Sequence, residues 1–181
     1  IISNNAVNTE LAGVDLYSSD SNTISNNTIT LQEKGISAES SNNNTICDNT
    51  ILENTVGVSL YLCNNSVFYH NNFVDNEYLQ VENYYMSSNN WDNGYPFGGN
   101  YWSDYHGTDY YTGPKQNQAG SDGIGDTPYV IGANNVDRYP LMSRYGKAIE
   151  DITPPTISIT SPVNGFEVKS SNITASWTGS D

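Results

Sequence analysis

Apolar residues in the first part of the chain come in short touches separated by polar turns, and the touches repeat. Ile24-Ser25-Asn26-Asn27-Thr28-Ile29 is preceded 22 residues earlier by Ile2-Ser3-Asn4-Asn5-Ala6-Val7. It is followed at the same step by Ile46-Cys47-Asp48-Asn49-Thr50-Ile51 and by Phe68-Tyr69-His70-Asn71-Asn72-Phe73. A second marker, Gly13-Val14, Gly35-Ile36 and Gly57-Val58, keeps the same interval. No run has the i, i+3, i+4, i+7 spacing of an amphipathic helix. Each touch sits among Thr, Ser and Ile, which suit strands, and the Asn-Asn, Glu-Lys-Gly and Ser-Ser-Asn stretches between them are turn chemistry. Three short strands and three turns per period predict one rung of a parallel β-helix, with rungs about 4.8 Å apart. The Leu-x-x-Leu-x-Leu spacing of a leucine-rich repeat is missing.

Stacking turns the repeat into columns. Aliphatic columns are expected to fill the core. The invariant Asn5, Asn27, Asn49 and Asn71 are expected to occupy a left-handed turn and to hydrogen-bond their stacked copies. Gly13, Gly35 and Gly57 are expected to supply a positive φ. The period decays after Phe73, where the Gly-Val position falls on Leu79-Gln80, and an irregular last coil is expected over 78–86. The Asn-x-Ile-x-x-Asn-x-Ile box with its later Gly-Ile resembles NosD-like, CASH-type right-handed β-helix repeats over roughly residues 1–142.

Ten aromatic residues then cluster over 84–111. The run from Asn90-Trp91-Asp92-Asn93-Gly94-Tyr95 to Gly99-Asn100-Tyr101-Trp102-Ser103-Asp104-Tyr105 is similar to the C-terminal signature of NosD-like surface proteins of the methanogen type. The resemblance continues through Gly120-Ser121-Asp122-Gly123-Ile124-Gly125-Asp126 and Asp137-Arg138-Tyr139-Pro140. A solenoid end exposes core and strand edges and needs a cap, and bulky aromatics with polar tips can supply one. The same Trp and Tyr faces also suit sugar stacking, which makes Trp91, Tyr95, Tyr101 and Trp102 candidate ligand contacts. Asp122 and Asp126 in a Gly-rich turn, with Asp137, are candidate calcium ligands, although the loop lacks the full ladder of an EF-hand; a plain tight turn is the alternative.

The expected organisation is all-β: coils over 1–83, a capping region over 84–142, a linker over 143–153, and an incomplete Ig-like segment over 154–181. Ile157 and Ile159, then Ile173, Ala175 and Trp177, alternate as half-buried strands. A sandwich needs about seven strands, so this segment is either a truncated domain or a donor of strands to another chain. The chain opens on Ile within a coil, as a piece of a longer polypeptide would.

A net charge of −14, from 20 acidic and 6 basic residues, argues against nucleic acid and against an anionic membrane surface. No apolar run approaches the roughly 20 residues of a membrane span. Asn26, Asn43, Asn64 and Asn172 head glycosylation sequons. Cys47 and Cys63, 16 apart in a 22-residue coil, fall on different sides of a rung and are expected as free thiols. Column arithmetic stacks Glu53 with Asp75 and Asp48 with His70, the best candidates for paired-acid or acid–imidazole chemistry. Four coils offer no walled cleft, and Lys34 is the one basic residue before Lys115. The NosD resemblance brings copper-centre maturation to mind, but no soft-ligand cluster of Cys, His or Met accompanies it. The expectation is a non-catalytic, extracellular structural or adhesive cell-surface module, partnered by copies of itself or neighbouring surface proteins. Glycan binding or polysaccharide turnover is the alternative.

Overall fold

A computed structural model describes residues 1–3, 5–7, 11–85, 87–132 and 134–146. The expected Ig-like segment, most of the expected linker and the Asn172 sequon lie outside the described residues. Four coils stack in register. The first contains β1 (Ile2–Ser3), β2 (Ala6–Val7) and β3 (Ala12–Tyr17); the second β4 (Thr23–Ser25), β5 (Thr28–Thr30) and β6 (Lys34–Glu39). The third contains β7 (Thr45–Cys47), β8 (Thr50–Leu52) and β9 (Val56–Tyr61); the fourth β10 (Val67–Tyr69), β11 (Asn72–Val74) and β12 (Leu79–Tyr84). Three parallel sheets result, ordered β1-β4-β7-β10, β2-β5-β8-β11 and β3-β6-β9-β12. Ile24 pairs with Ile46 and Ile29 with Ile51, a step of 22 residues. This is the parallel β-helix that the repeat predicts.

The core is built from columns. Ile24, Ile46 and Phe68 stack along one sheet, Ile29, Ile51 and Phe73 along the next, and Ile36 and Val58 along the third, all buried. Each such side chain contributes about 1.5–3 kcal/mol through burial.

Three local expectations are corrected. The positive φ does not fall on the invariant Asn but on the residue before it: Asn26 (56°), Asp48 (58°) and His70 (57°). The column glycines are not among the positive-φ glycines; they are required by space. A Cβ on Gly35 would lie 2.5 Å from the Gly57 carbonyl oxygen and 2.9 Å from an Ile51 methyl. Finally, the fourth coil carries one extra residue before β12. Val56 pairs with Leu79 and Val58 with Val81, so Gly57–Val58 corresponds to Gln80–Val81 rather than to Leu79–Gln80.

The invariant Asn column is a polar ladder inside the turn. Each backbone N–H donates to the side-chain oxygen one rung on: Asn5 to Asn27 at 3.0 Å, Asn27 to Asn49 at 3.0 Å, and Asn49 to Asn71 at 3.1 Å. From Asn27 on, each side-chain amide also donates forward to the next Asn and back to a carbonyl of the rung below, as Asn49 does to Asn71 and Ile24. Similar ladders line the other turns. One runs through Gln32, Asn54 and Asn76. A second runs through Asn22, Asn44, Ser66 and Asn89. A third takes in Ser19, Ser41, Cys63 and Ser87. Cys63 thus serves as a ladder member, and both cysteines are free and buried.

The aromatic region is a fifth rung. Asn90 bridges Val67 in parallel, and β13 (Tyr101–Trp102) pairs with β11, placing Trp102 on Phe73. Trp91 stacks on Phe68 at 4.1 Å, Trp102 on Phe73 at 4.3 Å, and Tyr129 on Trp102 at 4.3 Å. The ladder continues from Asn71 to Asn100 at 3.1 Å and ends where the Asn100 N–H donates to Asp137 Oδ2 at 2.7 Å. Asp137 also accepts the Trp102 indole N–H at 2.9 Å and the Tyr139 N–H at 3.0 Å. Asn135 takes the Trp91 indole N–H at 2.9 Å and ends the Asn89 ladder at 3.0 Å. Both terminators lie on β17 (Asn135–Asp137), which pairs antiparallel with β16 (Tyr129–Gly132). A further hairpin, β14 (Tyr111–Thr112) with β15 (Gln118–Ala119), stands beside them. The Arg138 guanidinium grips the fully buried Asp92 carboxylate, with Nε at 2.8 Å and Nη2 at 2.6 Å.

Three outcomes follow from these contacts. Asn49→Ala leaves buried donors and acceptors without partners and is expected to cost at least about 3 kcal/mol in urea unfolding, against under about 1 kcal/mol for Asn42→Ala, whose side chain makes only solvent-exposed hydrogen bonds, donating to Asp20 and accepting the Asn64 N–H. Gly35→Ala is expected to cost about 1–3 kcal/mol by overpacking. Burial pushes the Asp137 carboxyl up to about 7 against the pull of its donors. The folded chain therefore keeps a proton there that the unfolded chain releases near its ordinary value of 3.8. That contribution to stability is fully present below about pH 4 and is lost as pH rises through about 7. Urea midpoints compared between pH 4.5 and 8 should show this fall in the native chain relative to Asp137→Asn; parallel profiles would refute it.

Candidate functional site

Of the four aromatics expected to meet a sugar, the two tryptophans are plug residues. Trp91 is 0 % and Trp102 1 % exposed, each has a phenylalanine stacked on a face, and each indole N–H is taken by a ladder terminator. Neither offers a face to a ligand, because continuing the Ile and Phe columns puts both rings inside the solenoid. Tyr101 is half-buried and lies 6.0 Å below the Arg144 guanidinium. Tyr95 is half-buried too, with its hydroxyl 3.4 Å from Thr112 Oγ1.

The paired carboxylates do stack. Leu52 pairs with Val74, which sets Glu53 and Asp75 at successive levels of one positive-φ turn column. Both are exposed. Asp48 and His70 also meet, but Asp48 Oδ1 is 3.6 Å from His70 Nδ1, longer than a hydrogen bond. The other ring nitrogen, Nε2, is 2.7 Å from the Phe97 carbonyl. The imidazole stacks on Tyr145 at 3.8 Å, and the Asn72 amide bonds both the N–H and the C=O of Tyr145. The residue just beyond the cap is thereby tied down onto the coils. His70 is held as a structural stacking partner beside a polar hollow of about 600 Å³ lined by Asp48, Thr50 and Asn72.

The three expected calcium ligands do not come together. Asp137 ends the buried ladder. Asp122 accepts from Thr112, Gln116 and the Ile124 N–H; burial acts to raise its pKa, but these donors outweigh it and hold the carboxyl below its ordinary value. Asp126 accepts the backbone N–H groups of Tyr110 and Tyr111 at 2.8 and 3.0 Å. Asp109 does the same for Asp122 and Gly123. The Asp/Gly segment is thus organised as loops whose carboxylates anchor backbone donors. Among the described residues no three His, Cys, Asp or Glu side chains form a cation site. Asn26, Asn43 and Asn64 are exposed at turns; Asn64 Oδ1 accepts the Ser88 N–H at 2.9 Å.

A space with mixed chemistry lies elsewhere. A groove of about 490 Å³ runs between β12 and β16. Asn76, Gln80 and Ser103 belong to its lining and are joined by hydrogen bonds: Asn76 Nδ2 donates to Gln80 Oε1 at 2.7 Å, and Gln80 Nε2 to Ser103 Oγ at 3.2 Å. Its apolar lining includes Tyr78, Leu79, Val81, Val130 and Ile131, and its ionisable groups are Asp75, Asp104 and His106. Asp104 Oδ2 accepts the Tyr129 hydroxyl at 3.0 Å; burial first, then Asp104, raises the pKa of that phenol.

Sequence reasoning missed the terminators Asn135 and Asp137 and the fifth-rung members Asn89 and Asn100. The signal was present. Asn89-Asn90-Trp91 and Asn100-Tyr101-Trp102 repeat the Asn-x-apolar form of Asn44-Thr45-Ile46 and Asn49-Thr50-Ile51. The steps to the fifth rung, 23 and 29 residues, depart from 22 and conceal it.

A family model described as periplasmic copper-binding protein (NosD) matches residues 1–107. Neither the curated proteins nor the solved structures gave a match. Copper takes thiolate, thioether or imidazole ligands. Here Cys47 and Cys63 are buried in different columns, burial pushes the Cys47 thiol up, and His70 faces the Phe97 carbonyl. The described residues do not fit a copper site. The match nonetheless runs over all four coils and the fifth rung, well over half of the 181 residues, and the chain belongs to the NosD family.

Proposed function

We propose that the chain is a non-catalytic structural or adhesive module on the outside of the cell, a repeating part of a surface layer, sheath or filament. The observation that carries this reading is the use made of the polar and aromatic groups. The buried Asn and Ser side chains are joined in ladders, two of which end on β17, the two buried tryptophans plug the core, and the Asp/Gly carboxylates anchor their own loops. Such a stack is a spacer whose parts support their neighbours. The excess of 14 negative charges keeps its surface hydrated. The periplasmic setting in the description of the family agrees with a location outside the cytoplasm. No described helix is long and apolar enough to cross a membrane.

Electron microscopy beside mass photometry, on the full chain and on a chain lacking residues 154–181, tests the reading. Filaments or ordered oligomers are expected from the full chain. A monodisperse monomer at all concentrations, or release of reducing ends from a polysaccharide that stops on Glu53→Gln or Asp75→Asn, would overturn it.

A further inference from the structure

The fifth rung is built on two faces of the solenoid only. Asn90 continues the first sheet and β13 the second, whereas β12 is the outermost strand of the third. Among the described residues no backbone hydrogen bond joins β12 to the cap. The groove between β12 and β16 lies at the place that a third fifth-rung strand would take.

The sequence is adapted to that gap. Gly57 has no room for a side chain because the Gln80 carbonyl oxygen lies 2.5 Å from where its Cβ would be. One level on, the same column holds Gln80, a residue whose Cβ needs the space above it free of a strand carbonyl. In the inward column above Leu60, Asn83 replaces an aliphatic residue, and its Oδ1 is buried without a hydrogen-bond partner. The rim is apolar and exposed: Tyr78 is 74 %, Val130 69 % and Leu79 42 % exposed. No Lys or Arg lines the groove, and Asp75 and Asp104 do.

We infer that the open edge of β12 binds an extended peptide segment of a partner protein, one that alternates apolar residues with Lys or Arg. Such a segment pairs with β12 at Val81 and runs on, unpaired, past the Gln80 Cβ along the groove toward Asp75 and Asp104. Its backbone completes the strand edge, its apolar side chains cover Val81 and Val130, and its cations face Asp75 and Asp104. The same groove on a second copy is no match for it, since it presents the same carboxylates and no Lys or Arg. The inference rests on the adhesive part of the proposed function and names its partner chemistry. Peptide binding and self-assembly are separate measurements, so either can fail while the other stands.

The probe is a fluorescein-labelled octapeptide alternating valine and lysine, titrated into the full chain by anisotropy at low and physiological salt. Saturable binding is expected, weakened at least about tenfold by Asp75→Lys or Val130→Lys, both at exposed positions, with unchanged melting temperatures showing that the variants fold. The same peptide N-methylated at alternate residues should lose binding, since it cannot complete a strand edge. Equal binding of the N-methylated peptide or of a valine–glutamate peptide would overturn the inference, as would no binding. Binding seen only after residues 147–181 are deleted would overturn the partner and assign the groove to the chain's own tail.

Discussion

The fold depends on the hydrogen-bonded Asn ladder. A two-residue turn between buried strands leaves backbone N–H groups inside the coil, where water cannot reach them. An unpartnered buried donor costs about 1–3 kcal/mol. The side-chain amide of Asn answers this by accepting the N–H from the rung below while donating to its neighbours above and below. Because each rung donates toward the C-terminal end, the ladder has a direction. It finishes on side-chain oxygens of β17. Asp137 accepts from Asn100, and the neighbouring Asn135 receives the Asn89 ladder. The cap thus closes two of the ladders and is not an appendage to the solenoid.

The apolar core obeys the same logic. Ile24 and Ile46 give way to Phe68 and then to Trp91, and Ile29 and Ile51 to Phe73 and then Trp102. Ring size grows toward the end of the stack, where there are fewer rungs above to cover the column. Stacked rings about 4 Å apart follow the rung spacing, so the plug continues the solenoid's own periodicity. The indole N–H groups, which would be orphaned by that burial, are taken by the same two residues that close the ladders. One short strand, β17, thus serves both the polar and the apolar columns.

This sharing of parts bears on function. Residues that look chemically active in the sequence, the tryptophans, the Asp/Gly carboxylates and the His70–Asp48 pair, are consumed by stacking, loop anchoring and a carbonyl contact. Beside the cap, what is left is geometric: the edge of β12 where the fifth rung stops, lined by exposed apolar side chains and two carboxylates.

The 22-residue period, the Asn box and the short strands were legible in the chain itself, since stacking converts sequence interval directly into spatial column. From this alone came the parallel coils, the free cysteines, the pairing of Glu53 with Asp75, and the need for a cap. Wherever the interval changed, sequence reasoning lost the column. One extra residue before β12 shifted Gly57 onto Gln80, and the cap loops hid Asn89 and Asn100 as ladder members. Two physical roles were also exchanged. Positive φ was assigned to Asn27 and to the glycines, although a one-residue offset in the turn gives it to Asn26, Asp48 and His70. The glycines exist because a carbonyl of the next rung occupies the space of a Cβ, a constraint that only stacked coils create. Burial of Trp91 and Trp102, the gathering of two ladders onto β17 and the missing third strand of the fifth rung belong to tertiary structure, because each depends on which residues meet across intervals that no longer repeat.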